Sequence, residues 1–147
     1  MNTSIAAILA GKSRALHAVP TTVTVLEAVQ KMNQHKVGAV LVMNGEKLAG
    51  IFTERDVMTR VIAANLEPKA TPITQAMTAG VLTIPPETTV QEVMDIFAEK
   101  RCRHLPVIQS GELVGLISIG DVSRWVANAH RAEAESLRQY IAGGLST

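Results

Sequence analysis

The chain is poor in the residues that announce most chemistries. It has a single cysteine, Cys102, so no internal disulfide framework is open to it and a reducing, cytoplasmic compartment is the expectation. One Trp, one Tyr and two Phe provide no stacking platform, and a formal net charge of +1 provides no basic surface, so nucleic acid is disfavoured as a partner. The apolar run at residues 37–43 falls far short of the roughly 18 residues that suggest a membrane span. Near the N-terminus an apolar stretch, IAAILA, is followed by Lys12 and Arg14 instead of being preceded by them, the reverse of a secretion signal. It reads as a helix capped by Ser4 and ended by Gly11. His17, His35, His104 and His130 lack metal-ligand spacing, there is no Walker-type phosphate loop, and no nucleophile and base stand together. No metal is expected, and catalysis is disfavoured.

What is present is a repeat. The 147 residues are 47% hydrophobic, enough for a packed core. Sliding the chain by 65 positions aligns residues 19–63 with 84–128 without a gap and gives ten identities, among them Thr24/Thr89, Glu27/Glu92, Gly50/Gly115, Asp56/Asp121 and Val57/Val122. Each copy opens on a Thr-x-x-Glu capping box, Thr24 to Glu27 and Thr89 to Glu92. A helix with one apolar stripe follows, carried by Val25, Ala28, Val29 and Met32 and by Val90, Val93, Met94 and Phe97. Short β-branched runs then flank the turn pairs Asn44-Gly45 and Ser110-Gly111, which predicts a hairpin in each copy. Asp56 and Asp121 stand where the next helix begins. A short leading strand is expected near Ala18-Val19 and Leu82-Thr83. The fold class is therefore α/β (α+β): two pseudo-twofold-related units, each a small sheet packed with two helices, plus N- and C-terminal helices.

The division expected is an N-terminal helix over 1–16, repeat units at 17–64 and 81–128, a linker at 65–80 containing one helical turn at ITQAM, and a C-terminal helical extension at 129–147. From Val126 at the end of the second unit into that extension, Ala129, Leu137, Tyr140 and Ile141 continue a loose apolar stripe, which suits a dimer contact or packing on the chain's own core. Cys102, opposite Val37 in the repeat, reads as a small core residue.

The two corners Gly50-Ile51-Phe52-Thr53-Glu54-Arg55-Asp56 and Gly115-Leu116-Ile117-Ser118-Ile119-Gly120-Asp121, with MTAGVLTIPPETTVQEV before the second copy and RHLPVI in its first hairpin strand, resemble a tandem pair of cystathionine-β-synthase (CBS) domains, a Bateman module. The resemblance covers residues 17–128. It implies a non-catalytic regulatory module that binds adenine nucleotides (AMP, ADP or ATP, with NAD or S-adenosylmethionine as alternatives) in clefts between the paired domains, and that pairs as a homodimer. The ligand-binding residues it implies are Thr53, Arg55, Asp56, Thr83, Arg103, His104, Pro106, Ser118 and Asp121. The chemistry fits: a carboxylate accepts from both hydroxyls of a ribose diol, and the amides of a helix start favour a phosphate. Arg103 and His104 belong to a basic cluster at 100–104 and align with Gly38 and Ala39, although Lys36 matches Arg101 and His35 matches Lys100; Arg55 aligns with Gly120, so the two clefts should differ.

Two plainer readings stand beside this one. The aspartates and hydroxyls suit local helix capping, and the basic cluster suits a helix C-terminus. An assembly module that recruits an effector protein through its C-terminal helix, without any ligand, is the alternative function.

Overall fold

The computed structural model describes residues 2–12 and 16–145. The chain divides into two compact units. One holds residues 1–12, 86–104 and 117–147, the other residues 13–85 and 105–116. The first is built almost wholly of helices and the second holds the sheet, and neither coincides with one copy of the repeat.

The second of these units is built on a four-stranded sheet in the order β1 (Ala18–Pro20), β2 (Ala39–Asn44), β3 (Lys47–Thr53), β4 (Thr78–Ala79). β1 runs parallel to β2, and the other pairs are antiparallel. β2 is buried on both faces, which is why its sequence is continuously apolar instead of alternating. Val40 and Val42 join Val25, Ala28 and Met32 of helix α2 (Val25–His35) in one core, while Ala39 and Leu41 join Ile51 in another, against Leu113 and Leu116. The capping box at Thr24 is complete: its hydroxyl accepts from the Glu27 amide and Glu27 accepts from the Thr24 amide, each at 3.2 Å.

The repeat offset of 65 is kept by the elements. Helix α5 (Val90–Lys100), strand β5 (His104–Gln109) and strand β6 (Glu112–Ser118) reproduce α2, β2 and β3 residue for residue. Lys36 and Arg101 both end their helices in left-handed backbone, each at φ 54°. The leading strand near Leu82-Thr83 is reduced to a parallel bridge one residue on, Ile84 to Val107, matching Val19 to Val42 in the first copy. The first hairpin loop is Gly45-Glu46, one residue later than the expected Asn44-Gly45, because Asn44 still pairs with Lys47. There only Gly45 has a positive φ, 64°, the pattern of a type II′ turn. In the second loop Ser110 and Gly111 both do, at 53° and 80°, the pattern of type I′.

Residues 65–80 are not a loose linker. Helix α4 (Ile73–Ala76) buries Ile73 and Ala76 in the core of α2, and β4 extends the sheet. The polar and proline content that suggested a linker reflects short elements joined by tight turns. In the first unit, helix α1 (Ile5–Ala10) and α5 pack on α6 (Ile119–Leu145), with Ile5, Ile8, Val90, Val93, Phe97 and Val122 buried. Ser4 flanks α1 without a side-chain cap, contrary to its sequence pattern, and its backbone bridges to Thr89.

These two segments are equivalent. Val25 N donates to Thr71 O and Ile73 N to Val23 O, each at 2.9 Å; Val90 N donates to Thr3 O and Ile5 N to Thr88 O, each at 2.8 Å. Thr24 bridges Pro72 as Thr89 bridges Ser4. Each capping-box helix is thus completed by a lead-in segment, residues 71–79 in one unit and 3–11 in the other.

Candidate functional site

The corner around Asp56 begins where β3 meets a helix start. Thr53, and not Asp56, is the N-cap: its hydroxyl accepts from the Asp56 amide at 3.3 Å, and Asp56 Oδ2 accepts from the Thr53 amide at 2.9 Å. The aspartate therefore occupies the third helical position of a reciprocal capping box, which corrects its assignment as the cap itself. The helix it opens is short, Glu54–Asp56, and passes into a wider π-type turn over Val57–Ile62. Asp56 is only 6% exposed, and its second oxygen is also engaged. Oδ1 accepts from the Thr78 hydroxyl of β4 at 3.3 Å and faces Arg60 Nε at 3.4 Å. β4 can come this close because residue 50 is glycine: a Cβ there would stand 2.6 Å from Thr78 O.

The corner around Asp121 repeats the box. Ser118 N donates to Asp121 Oδ2 at 2.8 Å, and Asp121 N donates to the Ser118 hydroxyl at 3.1 Å. Here the helix continues as α6, and the outer partners of the carboxylate are two cations: Lys12 Nζ on Oδ2 and Arg124 on Oδ1, each at 2.7 Å. Burial pushes the Asp121 pKa up, but the hydrogen bond from Lys12, the Ser118 amide and the Lys12 charge outweigh it and leave the carboxyl below its ordinary value. Among the described residues no buried side-chain oxygen or nitrogen lacks a partner.

The other expected site residues are placed as follows. Arg55 is exposed on the first turn beyond Thr53. Thr83 is half-buried just before the Ile84 bridge, and Pro106 is buried in β5, where its carbonyl accepts from Ile84 N at 3.0 Å. Arg103 is exposed, with its carbonyl accepting from Ile119 N at 2.9 Å, and His104 is half-buried at the start of β5. Thus Thr53 meets Asp56 and Ser118 meets Asp121 directly. Thr83 and Pro106 sit on neighbouring strand segments.

Sequence reasoning missed Lys12, Arg60, Thr78 and Arg124. The signal for Arg60 and Arg124 was the spacing of a basic residue four or three positions after each aspartate. For Lys12 and Thr78 it was the likeness of TSI at 3–5 to TPI at 71–73, at an offset of 68 instead of 65. Two of the histidines that lack metal-ligand spacing are stacked: the rings of His17 and His35 lie 4.3 Å apart, and burial, then His35 and Lys31, lower the His17 pKa. Cys102 is half-buried, and burial raises its thiol pKa, the reverse of an activated nucleophile.

Helices α5 and α6 also flank an open apolar groove of about 470 Å³, lined by Met94, Phe97, Ile119, Val122 and Val126 among others. Farther along α6, Leu137, Tyr140 and Ile141 are exposed, so this stripe does not pack on the chain's own core. Among the described residues no helix is long and apolar enough to cross a membrane.

The CBS domain family model matches residues 12–63 and 73–128. The CBS domain-containing protein CBSX3, mitochondrial, of Arabidopsis thaliana is 43% identical over 126 residues, which cover 82% of this chain and 61% of that protein. The chain spans 20% of another relative from the same plant, CBSCBSPB1, at 37% identity. Among solved structures, a putative signal-transduction protein with CBS domains from Burkholderia ambifaria superposes with a TM-score of 0.81 at 39% identity, over 84% of this chain and 93% of that one. A hexameric CBS-CP12 protein from bloom-forming cyanobacteria matches with a TM-score of 0.74 at 29% identity, over 83% of this chain and 67% of its own.

Proposed function

The chain belongs to the CBS-domain family, and we propose that it is a non-catalytic regulatory module that binds an adenosine-containing ligand at its two strand-to-helix corners. The observation that carries this reading is the duplicated corner itself. Two capping boxes, each holding a buried carboxylate against a hydroxyl and a helix start, stand 65 residues apart in otherwise divergent sequence. Helix capping needs a small polar residue and is worth about 1 kcal/mol, which any of several side chains supplies. A carboxylate beside a Thr or Ser hydroxyl adds acceptors for a ribose diol, and the helix start adds a positive field for a phosphate.

In this reading Asp56 and Asp121 take ribose hydroxyls, with Thr53 and Ser118 beside them. Arg55, Arg103 and His104 supply positive charge for phosphate, and Thr83 and Pro106 shape the adenine contact. AMP, ADP and ATP are the favoured ligands, with NAD and S-adenosylmethionine as alternatives that share the ribose. Because both carboxylates are fully partnered within the chain, binding proceeds by exchange: an internal donor leaves as a ribose hydroxyl arrives. The module acts as a homodimer, a role supported by the apolar groove on α5 and α6 and by the exposed stripe on α6. It signals to an effector protein in the cytoplasm. Calorimetric titration of refolded, ligand-free protein with AMP, ATP and NAD tests the reading. Micromolar binding of at least one supports it, and no heat from any of them sinks it.

The exposed end of α6 favours one second reading, assembly without a ligand. Deleting residues 129–147 separates the two: loss of association with nucleotide binding intact assigns assembly to the helix and sensing to the corners.

A further inference from the structure

The two lead-in segments deliver different chemistry to equivalent corners. Residues 71–78 bring the Thr78 hydroxyl to Asp56 Oδ1 at 3.3 Å. Residues 3–12 bring an ammonium, Lys12 Nζ, to Asp121 Oδ2 at 2.7 Å. A cis-diol binds a carboxylate by donating its hydroxyls, so it competes with whatever already donates to those oxygens. A neutral hydroxyl is the weaker competitor, because charge-assisted hydrogen bonds are shorter and about twice as strong as neutral ones.

Both oxygens of Asp121 carry a cation, yet the two cations are held differently. The Arg124 side chain is 71% exposed and hangs from the same helix, so water replaces its bond at little cost. The Lys12 side chain is 34% exposed, and its backbone is anchored. Ile5 and Ile8 are buried, and Ile5 N and Ala6 N donate to Thr88 O and Pro86 O at 2.8 and 3.1 Å. Lys12 follows one turn later, its own amide bonded to Leu9 O at 3.2 Å. A side chain tethered in this way meets its carboxylate at a high effective concentration and returns whenever the site empties.

We propose that Lys12 is the specificity-determining residue of the second corner: a tethered cation that pairs with Asp121, yields to an arriving ribose, and so makes Asp56 the corner that fills first. The inference rests on the reading of both corners as ribose acceptors and adds the order in which they fill. It assigns the N-terminal segment a part in ligand selection as well as in packing.

The test is isothermal titration of the ligand-free full chain with AMP and 2′-deoxy-AMP, in an Asp56→Asn background that leaves the second corner to report alone. Lys12→Met is expected to tighten AMP about fivefold, the size set by removing a part-exposed ion pair as competitor, with no gain for 2′-deoxy-AMP. Lys12→Arg, which keeps the cation, is expected to show no gain. An independent readout is acetylation of the Lys12 amine followed by mass spectrometry, expected to speed up severalfold at saturating AMP. AMP affinity that stays level or falls in Lys12→Met, or acetylation that AMP leaves unchanged or slows, overturns the proposal while leaving the ribose reading intact. Absence of AMP binding from the parent and from every variant overturns both.

Discussion

Asp56 and Asp121 occupy the same position in the same capping box, yet they are held by different neighbours. Around Asp56 the outer partners are a hydroxyl from β4 and an arginine four residues along its own helix. Around Asp121 they are an arginine three residues along and a lysine from a segment 109 residues earlier. What duplication preserved is the inner box, which depends only on a Thr or Ser and an Asp three residues later. What it left free is the outer ring, which depends on the segments that pass by. Two sites with a common inner geometry can thus differ in affinity through residues that belong to neither motif.

The largest effects are expected where the two lead-in segments enter the core. Ile5 and Ile73 are both fully buried and stand at equivalent places in the two lead-in segments. Ile5→Ala and Ile73→Ala are each expected to cost about 3 kcal/mol in denaturant unfolding. A cost below about 1 kcal/mol for Ile5→Ala would mean that α1 is an accessory and not the counterpart of α4. Gly50→Ala should come next, at about 2 kcal/mol, because the added Cβ meets the Thr78 carbonyl at 2.6 Å and must push β4 off the sheet. Thr53→Ala and Ser118→Ala remove the two N-caps and should each cost about 1 kcal/mol by thermal unfolding. Similar losses sharpen the equivalence of the inner boxes, and a near-zero loss at either breaks it.

The smallest effect expected is on pH dependence. Asp121 has a lowered pKa in the folded chain, so its stabilising contribution is fully present above the ordinary carboxylate value of 3.8 and is lost as pH falls through the lowered one. Asp121→Asn and Lys12→Met should therefore each flatten the acid limb of a stability profile measured from about pH 5 to about pH 2. The change should stay within about 1 kcal/mol, since Lys12 is part-exposed. An acid limb that keeps its slope in Lys12→Met would show that the ammonium does not hold the carboxyl down.

Much of this was legible in the sequence because local rules decided it. The stripes Val25-Ala28-Met32 and Val90-Val93-Phe97 are buried, both capping-box threonines accept from their glutamate amides, and the offset of 65 carries through helix and hairpin. The corners were found, but the role of their aspartates was misread, since a residue at a helix start and one at its third position share the same neighbourhood in sequence. The lead-in segments were missed for a different reason. They repeat at an offset of 68, with Ile5 matching Ile73 and little else to align, and their pairing with the capping-box helices is non-local. The prolines and polar residues at 65–80 suggested a linker, and only tertiary packing shows that Ile73 and Ala76 belong to the core.

Whether the two corners bind, and bind unequally, is the central question for this molecule. The measurement is calorimetric titration of the ligand-free protein with AMP, beside Asp56→Asn and Asp121→Asn variants whose folding is verified by thermal unfolding. Two phases are predicted for the unaltered chain, with Asp56→Asn removing the tighter and Asp121→Asn the weaker. Binding that neither substitution changes, or that Asp121→Asn alone abolishes, would contradict that prediction.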